Sequence, residues 1–200
     1  MITRYYTTSR ARYTAILDAN ALVSIRLTDL LMQLAVDDLF RPKWTTDIHQ
    51  EWIKALERKR PDIGLDRLKK RRDQMDAKAR DPLVEGYKSL EGAISLPDEN
   101  DRHVLAAAIV GRCDVIVTYN LKDFPKEILG KFNLESQHPD SFLTNHLDLF
   151  PGKFCAAVHK VRQRHRKKIY SFEEYLDGLA EIELVATVAK LRKYTSILDV

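Results

Sequence analysis

Asp114-Val115-Ile116-Val117-Thr118-Tyr119-Asn120-Leu121-Lys122-Asp123-Phe124 is the stretch that decides the fold. Val115-Ile116-Val117 is a β-branched run without polar alternation. A strand covered on both faces, as in a parallel sheet, calls for such a run. A polar loop follows at once and carries Thr118, Asn120 and Asp123. In open α/β sheets, ligands sit beyond the carboxyl ends of the strands. These side chains therefore stand where chemistry is expected.

The pattern recurs upstream. Residues 13–17 form an apolar, β-prone run ended by Asp18-Ala19-Asn20, and residues 93–96 form a short run ended by Pro97-Asp98-Glu99-Asn100-Asp101. Both predict strands that end in acids. Short strands are also expected at 43–45 and 134–136. Apolar spacing predicts helices over 28–40, 46–58, 65–75, 97–111 and 139–150. Thr28 or Ser24 is expected to cap the first, and Thr46 or Asp47 the second. Strands that alternate with helices imply right-handed βαβ units in a doubly wound sandwich. Past Pro151-Gly152 the chain is helical throughout, near 153–166, 171–179 and 181–193. The expected division is a domain over 1–150 and a helical extension over 151–200, which packs on the domain, makes a dimer or holds a partner.

Three strand ends thus deliver acids to one sheet edge, and Glu51 adds a fourth from a helix. Each acid has a bland explanation. Asp18 suits an Asx turn or a helix cap, Asp98 a cap at a helix start, and Glu51 a surface position at the border of an apolar stripe. Together they are harder to dismiss. Converging carboxylates raise one another's pKa values, and a divalent cation resolves the repulsion. Hard oxygen donors select Mg²⁺ or Mn²⁺ over zinc. The expected chemistry is metal-assisted hydrolysis of a phosphodiester.

Composition agrees. The net charge is +4 and the basic residues crowd two stretches, Lys54 to Arg80 and Lys153 to Lys168. Basic surface around an acidic pocket suits a nucleic acid, since the cations neutralise phosphates and release counterions. No apolar run is long enough to cross a membrane, and Met1 to Tyr6 carry no apolar h-region, so no secretory signal is expected. Cys113 and Cys155 have no metal-binding spacing, so a cytoplasmic protein is expected. No nucleophilic Ser or Cys arrangement, P-loop or GxGxxG stands in the chain.

Two rivals remain at this stage. A Mg²⁺-dependent phosphatase on a Rossmann-like fold is one, although the haloacid-dehalogenase type wants an Asp where Asn20 stands. A non-catalytic RNA- or protein-binding module whose acids are only caps is the other.

Asp18 after a strand, Glu51 on a helix, Asp101 before an Ala-rich helix, and Thr118-x-Asn120-x-x-Asp123-Phe124 resemble the PIN-domain ribonucleases, which include the VapC-type toxins of toxin–antitoxin pairs. The resemblance covers roughly residues 13–137. It implies a three-layer α/β/α sandwich with a central parallel sheet and Mg²⁺- or Mn²⁺-dependent cleavage of RNA. The family's acidic quartet maps to Asp18, Glu51, Asp101 and Asp123, its polar loop positions to Thr118 and Asn120, and Asp98 matches an extra acid of one branch. The resemblance also implies a homodimer and a cognate antitoxin. Compact VapC toxins are shorter and lack anything like residues 150–200, and the basic region 54–82 is long for them.

Overall fold

The computed structural model describes residues 13–164 and 170–194. Four parallel strands form the centre. In chain order the elements are β1 (Thr14–Leu17), α1 (Ala19–Val23), α2 (Ile25–Val36), β2 (Arg41–Lys43), α3 (Thr46–Lys59), α4 (Leu65–Lys78), α5 (Lys88–Glu91), α6 (Arg102–Val110), β3 (Val115–Val117), α7 (Lys126–Leu129), β4 (Glu135–Gln137), α8 (Pro139–Leu149), α9 (Pro151–Gln163), α10 (Phe172–Ala180) and α11 (Val185–Leu191). The sheet order is β2-β1-β3-β4. Ala15 pairs with Pro42 on one side and Val115 on the other, and Ile116 pairs with Ser136.

Every residue of β1 and β3 is buried. That requires cover on both faces, and α6 supplies part of it by packing on β1 and β3 while α2 lies against β2 and α7 against β4. The result is the three-layer α/β/α sandwich with C-terminal helices. Because β2 and β3 lie on opposite sides of β1, the strand order reverses between β1 and β3. Their carboxyl ends frame the crevice where α/β proteins hold ligands.

Four expectations are corrected. Residues 93–96 are not a strand. Ala93 and Ile94 donate back to Leu90 and Glu91 and close a helical turn. Ile94 and Leu96 are buried and alternate with exposed neighbours, but they pack into the apolar core without pairing to any strand of the sheet. The second strand is Arg41–Lys43, two residues earlier than expected, with Trp44 bridging to Leu83 beyond it. The first long helix begins at Ile25, where the Ser24 hydroxyl accepts from Leu27 N. Thr28, inside that helix, donates to Leu22 O instead. Thr45, one residue before the expected cap, accepts from Ile48 N.

Two packing devices set the site's surroundings. Between α3 and α4, Asp76 accepts from Trp44 Nε1 at 2.8 Å and lies 3.0 Å from His49 Nε2, while His49 Nδ1 accepts from Trp52 Nε1 at 2.8 Å. With Nδ1 accepting, the proton sits on Nε2, and burial lowers the His49 pKa. His49 is thus a satisfied core residue. Arg71 of α4 lies over the Trp52 ring at 5.7 Å, and the pinned α3–α4 pair leaves Lys54, Arg58, Lys59, Arg67, Lys69 and Lys70 exposed.

The second device joins the C-terminal helices to the sheet domain. Phe154, Val158, Phe172, Leu176, Leu184 and Leu191 belong to the same apolar core as Ile16 and Val117. The Asp140 carboxylate of α8 accepts from Ala186 N and Thr187 N, each at 2.8 Å, and caps α11 from another element. Arg26 reaches across to Gly178 O at 3.1 Å and Glu181 Oε2 at 2.9 Å. A Cβ at Gly178 would run into that guanidinium. His165 and residues 166–168 of the second basic run lie outside the described residues. Cys113 and Cys155 are free and buried, and burial pushes the Cys113 thiol up to about 12. No helix of the described residues is long and apolar enough to cross a membrane.

Candidate active site

Asp18 leaves β1 at its carboxyl end and is 5% exposed. It starts α1 without capping it by its side chain. The carboxylate turns instead toward β3. Thr118 Oγ1 donates to Asp18 Oδ2 at 2.7 Å, and Asn20 Nδ2 donates to the same oxygen at 2.6 Å. Thr118 Oγ1 also accepts from Asn20 Nδ2 and from Asn120 N, both at 3.0 Å. One donor and two lone pairs are thereby used, so the hydroxyl is saturated. Burial raises the Asp18 pKa, the Thr118 bond opposes the rise, and the charge of Glu51 adds to it.

Asp101 enters from the short 3₁₀ turn Glu99–Asp101 that precedes α6. Desolvation and the charges of Asp18, Asp98 and Asp123 push its carboxyl up to about 7. Asp101 thus lies within electrostatic reach of Asp18, Asp98 and Asp123. Asp98 is also the cap expected of it, accepting from Asn100 N at 2.9 Å. Asp123 is half-buried at the end of the turn Leu121–Asp123, behind the wholly buried Phe124.

Glu51 sits on α3 and is paired with His103 of α6, its Oε1 3.0 Å from Nε2. Burial opposes a proton on His103, but the hydrogen bond and charge of Glu51, with Asp18 and Asp47 behind it, outweigh burial and raise the pKa. His103 Nδ1 is buried without a partner among the described residues.

Asp101 thus stands among Asp18, Asp98 and Asp123, with Glu51 at the border beside Asp18. Among the described residues, no three acid, His or Cys side chains close on one point as a formed metal cage would. The chemistry of the set nevertheless fits a hard divalent cation: oxygen donors only, one almost wholly buried, and mutual repulsion that a cation would relieve. Two residues gain roles that spacing alone did not assign. Asn20, rather than Asn120, holds Asp18, and its Oδ1 accepts from Tyr119 N at 3.1 Å. His103 partners Glu51. The Asp-x-Asn spacing was the available signal for the first. Only the approach of α3 to α6 reveals the second.

A groove of about 710 Å³ opens beside the acids. Asn20 and Glu51 line it, with Arg58 and Lys59 from the last turn of α3, Tyr119 after β3, and Glu181, Ile182 and Glu183 from the turn between α10 and α11.

The model of the PIN domain matches residues 14–122, and that of the VapC50 C-terminal domain matches residues 139–193. A protein of Mycobacterium tuberculosis named "Putative ribonuclease VapC50" is 36% identical over 108 residues, covering 54% of this chain and 63% of that protein. The match thus spans less than two thirds of the relative's length. No solved structure matches the chain.

Proposed function

The chain belongs to the PIN-domain family, and from that premise we propose that it is an Mg²⁺- or Mn²⁺-dependent endoribonuclease, the toxin of a VapBC-type toxin–antitoxin pair. The observation that supports the reading is that Asp101 feels the charges of Asp18, Asp98 and Asp123, which with burial raise its carboxyl to about 7, while Asp18 and Asp123 follow the adjacent strands β1 and β3.

Asp18, Asp101 and Asp123 are the residues that would hold the cation, with Glu51 at the border. A bound divalent ion supplies a water of lowered pKa and neutralises charge developing on the phosphate. The remaining work falls to the chain. Thr118 and Asn20 fix the Asp18 carboxylate in one orientation, as outer hydrogen bonds do around metal-binding groups. His103 fixes Glu51 and holds a proton beside it. Arg58 and Lys59 stand at the groove to receive backbone phosphates, which position a strand without reading its sequence.

The test is cleavage of mixed single-stranded RNA by the wild type and Asp18→Asn, with Mn²⁺ and with EDTA. Cleavage by the wild type alone, stopped by EDTA, is expected. Activity that persists in Asp18→Asn, or hydrolysis of phosphomonoesters but not RNA, would overturn the reading.

A further inference from the structure

The edge of the sheet opposite the acids is basic. Thr14 stands at the amino end of β1 and pairs with Arg41 at the amino end of β2, and Arg112 lies in the turn that leads from α6 to β3. Arg80 and Asp81 come from the segment after α4. With Lys43 and Gly111 these residues line a cavity of about 480 Å³. At about 3.3 Å per strand residue it lies roughly 13 Å along β1 from Asp18. It shares no lining residue with the groove beside the acids.

Four cations meet one carboxylate in this lining. Lys43 Nζ donates to Asp81 Oδ2 at 3.0 Å and to the Asp81 carbonyl, so these two charges balance each other. Arg41, Arg80 and Arg112 make no ion pair among the described residues. Asp114, two residues past Arg112, is turned to the strand instead. Its Oδ2 accepts from Thr14 N at 2.7 Å, and it does not line the cavity. Arg41 and Lys43 are half-buried and leave β2 on one face, since Pro42 between them is buried. Like charges gathered from separate segments repel one another. An anion in the cavity would relieve that repulsion.

The lining also says which anion. It holds no aromatic side chain, so a base has no face to stack on. Guanidinium groups present paired N–H donors that match phosphate oxygens. The volume is that of a small-molecule site rather than of a passage for a strand. We propose that this cavity binds a compact oligophosphate, either free or as the phosphate tail of a nucleotide, through Arg41, Arg80 and Arg112. The site uses none of the acids and stands apart from the nuclease reading. Its three arginines come from β2, the segment after α4 and the α6–β3 turn, so a bound ligand ties these together and stabilises the folded state by mass action.

The test is calorimetric titration of the full chain with tripolyphosphate in metal-free buffer at low salt. Saturable binding and a raised melting temperature are expected. Arg41→Gln, Arg80→Gln and Arg112→Gln should each weaken binding about 10-fold, the scale of one charge-assisted hydrogen bond. Lys70→Gln removes the same charge from the exposed face of α4 and should leave the affinity unchanged. Asp18→Asn should bind as the wild type does. Urea midpoints of the unliganded variants separate a lost site from a lost fold, and Arg80→Gln, at an exposed position, carries the test if Arg41→Gln lowers its midpoint. Adenosine triphosphate is the second probe. Binding equal to that of tripolyphosphate supports a free oligophosphate as the ligand, and tighter binding supports a nucleotide. Absence of tripolyphosphate binding, or equal weakening by Lys70→Gln, overturns the proposal. So does an RNA oligonucleotide without terminal phosphates that depends on the three arginines while tripolyphosphate does not bind, because the cavity then serves an RNA backbone.

Discussion

The Thr118 hydroxyl donates to the Asp18 carboxylate at 2.7 Å across the gap between the two central strands. This bond orients the most buried acid of the site and also consumes the polarity of two neighbours. Thr118→Val keeps the shape but takes a charge-assisted hydrogen bond from Asp18 Oδ2, which keeps only Asn20 Nδ2, and removes the acceptor of Asn120 N. Unmet buried groups cost about 1–3 kcal/mol each, softened here because Asn120 is exposed. The variant should lose about 2 kcal/mol in urea denaturation and cleave more slowly. Unchanged stability would mean that the bond is idle.

The metal-free protein should be more stable at pH 6 than at pH 8. Asp101 has its folded value raised to about 7, well above the usual aspartate value of about 4. Between those values the folded state keeps a proton that the unfolded chain has lost, so acidification through this window stabilises, and the gain disappears as pH rises past about 7. His103, also raised, contributes stability below its ordinary value that is lost as pH climbs through the folded one. Thermal melts in EDTA check the direction. Asp101→Asn should melt higher than the wild type at pH 8 while losing cleavage.

Divalent metal binding should release protons near neutrality, because Asp101 must ionise to bind a cation. Mn²⁺ affinity is expected to rise between pH 6 and 8. Calorimetry in buffers of different ionisation enthalpy would show this as a buffer-dependent heat. At a hundredfold excess over its dissociation constant, the ion should stabilise by about 2.7 kcal/mol, or roughly 5–10 °C in melting temperature. Asp18→Asn should abolish that shift.

Asp140→Ala removes the carboxylate that caps α11 from α8. The expected loss is about 1–2 kcal/mol, seen as a lowered urea midpoint. Because the apolar core runs without a break from β1 to α11, the change should shift one cooperative transition and not split it in two. Two separate transitions would show that the C-terminal helices unfold on their own.

Local signals carried most of the fold. Val115-Ile116-Val117 and Ala15-Ile16-Leu17 are apolar on every residue, which only a doubly covered strand tolerates, and both lie where expected. Ser171 and Glu174 form the capping box that their spacing suggests. Residues 93–96 misled because alternating burial looks the same whether or not a ladder partner exists, and partners are set by the whole sheet. In the site, the acids stood out as charges at strand and helix ends. The Asn20 and His103 contacts did not, since one depends on a rotamer and the other on how α3 meets α6. The acidic turn 181–183 was invisible for a stronger reason: its place beside Asn20 and Tyr119 is a product of tertiary packing alone.

The Asp18–Thr118 bond joins residues 100 positions apart, and this bears on when the protein can act. Contacts of such long range require a large loop to be closed before they return any stabilisation, and they form slowly. The pocket does not exist until β3 has docked beside β1. A chain still emerging from synthesis, or one opened by heat or a chaperone, has the acids but not their arrangement. Nuclease activity would then arrive with the last long-range contacts of folding, which gives the cell that makes the protein an interval in which to meet it.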